Sequence, residues 1–379
     1  MNILVVCHYG LYEDLSFSFV HNQVKEYVKL GHRVRVLIPN GVGKTGRDGR
    51  RVGKALCVSC IDGVELYDLR YLTLSRYGEK TFNVQSAIGG IRAHWKALFA
   101  DFRPDVIHAH TLGFDSRIGA WLKRKLGCPL VVTTHGSDST TLYKNGEKAS
   151  LRGLCDQADA VVCVSSKLQK QLADCGTAAR LQTVLNGFQV RECGSSCEKE
   201  PYSWIQVGNL VPSKGFDVTI RAFAKIREKY PEAKLTIIGK GGQRGALEML
   251  CQSLQVAASV YFLGQLPNDQ VLSEMAKAQF YVMPSSPEGF GIVYLEAMAA
   301  GCLTIGTQGE GIADLIINGE NGYLVPAKDP DAIANIIDES LQDPEKAACI
   351  AARGQKAARE RTWEKNASKY IGLFQELGG

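Results

Sequence analysis

The sequence predicts an α/β protein made of two doubly wound domains, each with a parallel sheet covered by helices on both faces. Three observations lead to this fold class. The chain has 379 residues, more than a single hydrophobic core ordinarily serves. Short apolar runs alternate with helix-like segments in both halves, which is typical of strands buried on both faces. A segment at 191–201 that mixes Gly, Ser, Cys and charge separates the two series and indicates a linker.

The first half contains five strand-like runs and a clear first helix. Residues 19–30 place Val20, Val24 and Tyr27 on one helical face, and Gly31 ends the helix. The apolar runs lie at 3–7, 34–38, 106–110, 130–134 and 160–164. The second half restarts the pattern, with helices expected at 216–229 and 331–341. Its apolar runs lie at 203–207, 235–238, 260–263, 280–283, 303–305 and 323–325.

Composition limits the class of protein. Apolar residues make up 45% and charged residues 22%, so disorder is not expected, and no run approaches the ~20 apolar residues that span a bilayer. The start of the chain is a buried-strand run without a basic region, so we expect no signal peptide and reduced thiols in the cytoplasm. The pairs Cys57/Cys60 and Cys193/Cys197 have zinc-like spacing, but no matching His or Cys cluster follows either pair. We therefore predict no metal site.

Charge is distributed unevenly along the chain. Residues 1–195 carry a formal charge of +9 and residues 196–379 a charge of −4. The excess either reflects two ordinary solvated surfaces or indicates an anionic partner, such as a membrane or a phosphorylated substrate. The basic, amphipathic segment 117–126 has the same two interpretations, ordinary helix packing and membrane contact. We expect no nucleic-acid partner.

The strongest chemical signal is the segment 287–301. A strand-like run ends at Met283, a glycine-rich turn follows, and a helix opens near Gly291. Free N–H groups at a helix start suit a phosphate. Glu288 and Glu296 lie eight residues apart, so both carboxylates can face one ligand, and carboxylates are good acceptors for sugar hydroxyls.

This segment resembles the E-x7-E motif of the retaining glycosyltransferases of family four, which have the GT-B fold. The resemblance extends over nearly the whole chain, at 105–110, 134–138, 184–187, 208–215, 238–241 and 262–266. It implies two Rossmann-like domains facing a central cleft. Residues 1–190 would form the acceptor domain, joined by a C-terminal helix at 362–379, and residues 202–361 would form the nucleotide-sugar domain.

The resemblance assigns roles to individual residues. Glu296 would hold the ribose hydroxyls, Glu288 the donor-sugar hydroxyls and Lys214 the diphosphate. Leu266 would present backbone groups to the base, and His135 would contact the donor sugar from the other domain. Further contacts with the nucleotide sugar would come from Gly10, Asn209, Gly239, Gly289, Phe290, Gly291 and Ile292.

Two departures from the family pattern affect phosphate binding. Asn209 stands where the family usually has an arginine, so one cation is missing and Lys214 carries more of the charge. Many members have a Gly-Gly pair after the first strand, where this chain has only Gly10.

The resemblance implies a retaining hexosyltransferase that moves a sugar from a UDP- or GDP-linked donor to a glycan or lipid-linked acceptor. Synthesis of cell-surface polysaccharide or glycolipid is the expected setting, in the cytoplasm or at the inner face of the plasma membrane. No cofactor or metal is expected, because Asp329 and Asp331 precede an apolar helix and indicate a cap rather than a metal-binding Asp-x-Asp.

Other activities remain as alternatives at this point. A GT-B epimerase or phosphorylase shares the fold, and a catalytically silent binding subunit is disfavoured by intact Glu288, Glu296, Lys214 and His135. A Rossmann dehydrogenase needs Gly-x-Gly-x-x-Gly after its first strand, which the segment 7–12 lacks.

Overall fold

The computed structural model describes residues 1–8, 19–43, 55–73, 81–189 and 198–378. The chain divides into two compact units, Met1–Gly187 with Trp363–Gly379 and Phe188–Thr362. Gly10, Cys193, Cys197 and residues 191–197 of the expected linker lie outside the described residues.

The first unit is built on a sheet that, among the described residues, has eight strands in the order β3-β4-β2-β1-β5-β6-β7-β8. All neighbours run parallel except the β3–β4 hairpin. The strands are β1 (Asn2–Val6), β2 (Arg33–Gly43), β3 (Leu56–Ile61), β4 (Val64–Thr73), β5 (Val106–His110), β6 (Leu130–Thr134), β7 (Ala160–Cys163) and β8 (Arg180–Thr183). The helices before the crossing to the second unit are α1 (Phe19–Lys29), α2 (Thr81–Ala93), α3 (Trp95–Phe99), α4 (Phe114–Leu126), α5 (Ser137–Lys144), α6 (Lys148–Cys155) and α7 (Ser166–Ala173).

The second unit has an all-parallel sheet, whose described strands follow the order β11-β10-β9-β12-β13-β14. The strands are β9 (Glu200–Val207), β10 (Lys234–Ile238), β11 (Val260–Gly264), β12 (Ala278–Val282), β13 (Leu303–Thr307) and β14 (Tyr323–Val325). The helices are α8 (Phe216–Lys229), α9 (Arg244–Ser253), α10 (Asn268–Lys277), α11 (Ile292–Ala299), α12 (Pro330–Gln342) and α13 (Pro344–Arg359).

Among the parallel strands of each sheet, the strand order reverses at one place. The reversal lies between β9 and β12 in the second unit and between β1 and β5 in the first. Loops leave the carboxyl ends of such neighbouring strands in opposite directions and open a crevice, which is where doubly wound sheets bind ligands. These two edges are therefore the first places to look for a site.

The last helix, α14 (Trp363–Gly378), belongs to the first unit. Its residues Tyr370 and Phe374 are buried in the same core as Tyr27 of α1 and the apolar faces of β1 and β2. Trp363 and Leu373 of the same helix are also buried.

The predicted fold class is confirmed, with differences at boundaries. Strand β9 begins at Glu200, inside the segment expected to be a linker, and α14 begins at Trp363, one residue after the expected start. Strands β3, β4 and β8 were not expected. In β4, buried and partly exposed residues are mixed with charged ones, so the strand lacks the continuous apolar run of a central strand.

Candidate active site

At the carboxyl edge of the second sheet, the loops pack backbone against backbone. The Gly208 N–H donates to the Ile238 carbonyl (3.0 Å), and the Gly239 N–H donates to the Gly264 carbonyl (2.7 Å). Gly239 has φ +144°, and a Cβ there would lie 1.9 Å from the Gly208 oxygen. No other residue fits this position, so the glycine is required for the loops to meet.

Lys214 is held at the end of the loop that follows β9. Residues Pro212–Lys214 form a short 3-10 turn, which Gly215 ends with φ +65°. The buried Gln206 side chain donates through Nε2 to the Lys214 carbonyl (2.7 Å). The backbone on both sides of the lysine is therefore fixed, while its side chain is 23% exposed.

The Lys214 ammonium group contacts the Glu288 carboxylate. Ser285 Oγ donates to the same carboxylate at 3.1 Å. The lysine follows β9 and the glutamate follows β12, the two neighbours at the strand-order reversal. Two residues predicted from separate motifs are thus brought together.

Glu310 supports this turn, and sequence reasoning missed it. Its carboxylate accepts from the Glu288 N–H (2.7 Å) and from Ser286 Oγ (2.9 Å), and the residue is 8% exposed. The neighbouring Gly311 lies so close to the turn that a Cβ would be 1.9 Å from the Gly289 oxygen. An acid between two glycines just after β13 is the signal that could have indicated it.

Helix α11 begins directly after the turn. Gly291 precedes it with φ +78°, so the first N–H groups, beginning at Ile292, have no acceptor within the helix. Phe290 is buried, and Glu296 is half-buried on the second turn. Burial raises the pKa of the Tyr281 hydroxyl well above its ordinary value, and the Glu288 and Glu296 carboxylates add to this rise. Both glutamates therefore act on one region of the unit.

The edge of the first sheet is lined by histidines. His135 follows β6, and its Nε2 lies 3.1 Å from Nδ1 of His110, the last residue of β5. The two rings are stacked, and Phe19 packs on His135 at 4.5 Å between ring centroids. Burial lowers the pKa of His110 and His135, with like-charge repulsion from neighbouring histidines adding to it, so both rings are neutral near pH 7.

Asp138 fixes the backbone around His135. One carboxylate oxygen accepts from the Leu112 N–H (2.7 Å), and the other accepts from Thr134 Oγ1 (2.8 Å) and the Gly136 N–H (2.9 Å). Burial raises the pKa of this carboxyl, although the hydrogen bonds oppose the rise. The Thr134–Asp138 motif is therefore a closed turn that presents the histidine ring.

His8 and Asp115 form a second pair at this edge that sequence reasoning missed. His8 Nδ1 lies 2.6 Å from Asp115 Oδ2, and Thr111 Oγ1 donates to the same oxygen at 3.0 Å. The other oxygen, Oδ1, is buried without a partner among the described residues. The two residues are 107 positions apart, so only the neighbouring positions of β1 and β5 could have indicated the contact.

The remaining predicted residues lie near the second edge without a side-chain contact that defines a role. Asn209 is exposed in the loop after β9, and Leu266 is half-buried two residues after β11. Gly10 is outside the described residues.

Among the residues that the structure describes, no group of three or more His, Cys, Asp or Glu side chains could hold a metal ion, and no helix could cross a membrane. Asp329 caps α12 by accepting from the Ala332 N–H (2.9 Å), as predicted.

Each of the two units is doubly wound around a sheet of mainly parallel strands. One sheet edge carries a lysine–glutamate pair beside a helix start. These features define a ligand-binding α/β enzyme of the GT-B type. Residues 195–357 match the family Glycosyl transferases group 1, and residues 18–192 match Glycosyltransferase Family 4. An uncharacterized glycosyltransferase of Methanocaldococcus jannaschii is 30% identical over 275 residues, covering 72% of this chain and 76% of that protein. The chain belongs to the GT4-type glycosyltransferases.

One further relative and one solved structure are also similar to this chain. The GDP-mannose-dependent alpha-(1-6)-phosphatidylinositol monomannoside mannosyltransferase of Mycolicibacterium smegmatis is 28% identical over 263 residues, covering 64% of this chain and 69% of that protein. The crystal structure of Anabaena HepE in complex with UDP has a TM-score of 0.75 at 20% identity, covering 100% of both chains. The GT-B fold is thus confirmed, and glycosyl transfer is favoured over the epimerase and phosphorylase alternatives.

Proposed function

We propose that this chain transfers a sugar from a nucleoside-diphosphate sugar to an acceptor hydroxyl, with retention of anomeric configuration. The observation that carries the proposal is the Lys214–Glu288 contact where the strand order of the second sheet reverses. A cation, a carboxylate and free helix N–H groups in one place provide for a diphosphate and a sugar together. The second unit would hold the donor, and the first unit would hold the acceptor.

Lys214 would stabilise the leaving group. Departure of the nucleoside diphosphate leaves negative charge on phosphate oxygens, which an ammonium group and the first N–H groups of α11 meet without reorganisation. The ammonium group has three donors, so it can contact Glu288 and a phosphate oxygen at once. Glu288 would then accept from a donor-sugar hydroxyl, and Glu296 from the ribose hydroxyls.

We expect the negative charge of the leaving group to be compensated without a metal ion. Asn209 contributes no cation, so Lys214 and the helix amides would meet the leaving-group charge. Activity should therefore survive a chelator. Complete loss of activity in chelator, restored by magnesium or manganese, would contradict this assignment.

The proposed donor is a UDP- or GDP-linked sugar. One relative is GDP-mannose-dependent, and one structurally similar protein is in complex with UDP. The acceptor would be a glycan or a lipid-linked sugar. Peripheral contact with an anionic membrane is supported by the charge of +9 on residues 1–195 and by the exposed side chains of Arg124 and Lys125 on α4. The role expected for His135 at the donor sugar stays a prediction.

Thermal unfolding with a panel of UDP, GDP, ADP and their common sugar conjugates tests the donor. A ligand bound only by the folded state raises the melting temperature in a concentration-dependent way. The product formed from the binding donor is then analysed by NMR for its anomeric configuration. No shift with any nucleotide would contradict the proposed function, and an inverted product would contradict the retaining mechanism.

A further inference from the structure

The turn that carries Glu288 is held by a residue that follows the neighbouring strand. The turn, residues 285–291, comes after β12, and Glu310 comes after β13, which pairs with β12 in parallel. Glu310 Oε2 accepts from the Glu288 N–H at 2.7 Å, and Glu310 Oε1 accepts from Ser286 Oγ at 2.9 Å. Each oxygen of this nearly buried carboxylate therefore holds a different residue of the turn.

The main chain of Glu288 is bound on both sides by the same segment. Its N–H donates to Glu310, and its carbonyl accepts from the Gly311 N–H at 3.4 Å. An N–H that donates to an ionised carboxylate makes a stronger hydrogen bond than one that donates to a neutral acceptor. The backbone position of Glu288 thus depends chiefly on the carboxylate of Glu310.

The side chain of Glu288 leaves one oxygen for a ligand. Oε2 accepts from the Lys214 ammonium group and from Ser285 Oγ. Oε1 has no partner in the part of the chain that the structure describes, and the side chain is 12% exposed. Lys214 and Ser285 therefore fix the end of this side chain, while Glu310 fixes the backbone from which it extends.

We propose that Glu310 is a positioning residue for the donor sugar, which places Glu288 Oε1 against a sugar hydroxyl. The inference rests on the proposed glycosyl transfer and adds a residue that acts through Glu288. The proposed diphosphate contacts, Lys214 and the first N–H groups of α11, do not include Glu310. Removal of Glu310 should therefore impair use of the sugar and spare binding of the nucleoside diphosphate, whereas general damage to the unit would impair both.

The test compares a nucleotide sugar with its own nucleoside diphosphate, a pair chosen from the thermal panel. Turnover by the full chain is measured as release of nucleoside diphosphate with water as the acceptor. Glu310→Ala should lower kcat/KM for the nucleotide sugar by roughly 10-fold to 100-fold, the scale of one hydrogen bond to a charged group. Affinity for the nucleoside diphosphate, measured by titration calorimetry, should stay within about twofold, because uniform binding is not changed.

Two further variants separate the reach of the Glu310 side chain from its charge. Glu310→Gln keeps an oxygen for the Glu288 N–H and an amide that can donate to Ser286 Oγ, so it should stay within about fivefold of wild type. Glu310→Asp keeps the charge but is one CH₂ shorter, so it should lose activity as Glu310→Ala does, and it serves if the alanine variant does not fold. Glu320→Ala, an exposed acid of the same unit, is the matched control and should change neither measurement.

Coupling between Glu310 and Glu288 gives the sharpest readout. In a Glu288→Ala background, Glu310→Ala should lower kcat/KM by less than about twofold more, because the group that it positions is already gone. An equal loss in both backgrounds, or an equal loss of nucleotide-sugar turnover and diphosphate affinity, would overturn this proposal and leave the proposed function standing. A wild-type chain that binds none of the nucleotides would overturn both.

Discussion

The carboxyl edges of the two sheets differ in the groups that form them, which are backbone groups in one unit and side chains in the other. In the second unit the loops meet through backbone, as Gly239 against Gly208 and Gly311 against Gly289 illustrate. In the first unit the same edge is filled by side chains, with His8, His110 and His135 around buried carboxylates.

This difference indicates what each edge can do. Bare backbone allows a ligand to approach N–H groups closely, which suits phosphate oxygens. Asp115 raises the pKa of His8, so this ring can change charge near physiological pH, which backbone cannot do, whereas the lowered pKa values of His110 and His135 keep those rings neutral. The second edge is therefore suited to holding charge, and the first to proton chemistry. The following predictions test that division.

The largest effect is expected at Lys214. Lys214→Ala should reduce kcat/KM by roughly two to three powers of ten, about 3 to 4 kcal/mol, because one preorganised cation is lost from the leaving group. Asn209→Arg should partly restore this variant by returning charge to the same loop. Lys234→Ala, an exposed lysine at the start of β10, is the matched control. Steady-state kinetics that place Lys214→Ala within about threefold of wild type would contradict the role.

The backbone contact of the second edge predicts a loss of stability. Gly239→Ala should lower the free energy of unfolding by about 3 kcal/mol or more, because the new Cβ overlaps the Gly208 carbonyl and φ is +144°. Gly242→Ala is the matched control, since nothing lies within 4 Å of its Cβ. Calorimetry on both variants decides: equal melting temperatures would show that the loops do not need to meet in this way.

The next largest effect is expected on the free energy of nucleotide binding, at Glu296. Glu296→Ala should weaken binding of a nucleoside diphosphate by roughly 1.5 to 3 kcal/mol, since the ribose hydroxyls lose a charged acceptor. Titration calorimetry measures this directly, with Glu232→Ala, an exposed acid after α8, as the control. Unchanged affinity would remove Glu296 from the site.

The smallest effect concerns the pH dependence of the first unit. Burial lowers the pKa of His108 to about 3, so this ring stays neutral in the folded chain while the unfolded chain takes up a proton below pH 6.5. Stability should therefore be complete above pH 6.5 and fall with decreasing pH between 6.5 and about 3.

The contribution of one such histidine is about 1.4 kcal/mol per pH unit within that window. His108→Gln should flatten the dependence of unfolding free energy on pH by this amount, measured with urea at pH 6 and pH 5. His94→Gln, a partly exposed ring at the end of α2, should leave the slope unaltered. Parallel slopes in all three proteins would show that His108 titrates equally in both states.

The fold was predictable where an element has its own boundary signals. Strand β14 and helix α8 have the predicted limits, because a glycine precedes each element and a proline follows within two residues of its end. Strand β8, with the sequence Arg-Leu-Gln-Thr, was not predictable in this way. It lies at the edge of the sheet beside β7, so its place depends on pairing rather than on its own apolar residues.

The candidate site was predictable where it is local in sequence. Glu288 and Glu296 stand in one motif that is recognisable alone, whereas the loop with Lys214 is a weak signal alone and was assigned together with the other motifs. The His8–Asp115 and Glu310–Glu288 contacts join residues 107 and 22 positions apart. No spacing rule reaches across such distances, and only the strand order brings these groups together.

Helix α14 makes the second unit an insertion within the first. The core around Tyr27 includes Tyr370 and Phe374, which follow the whole second unit in the sequence. The second unit is one continuous segment, so it can finish folding during synthesis, while the first unit waits for its final helix. A fragment that ends near residue 190 would therefore expose part of its core, and the first unit can be isolated only by joining its two segments with a new linker.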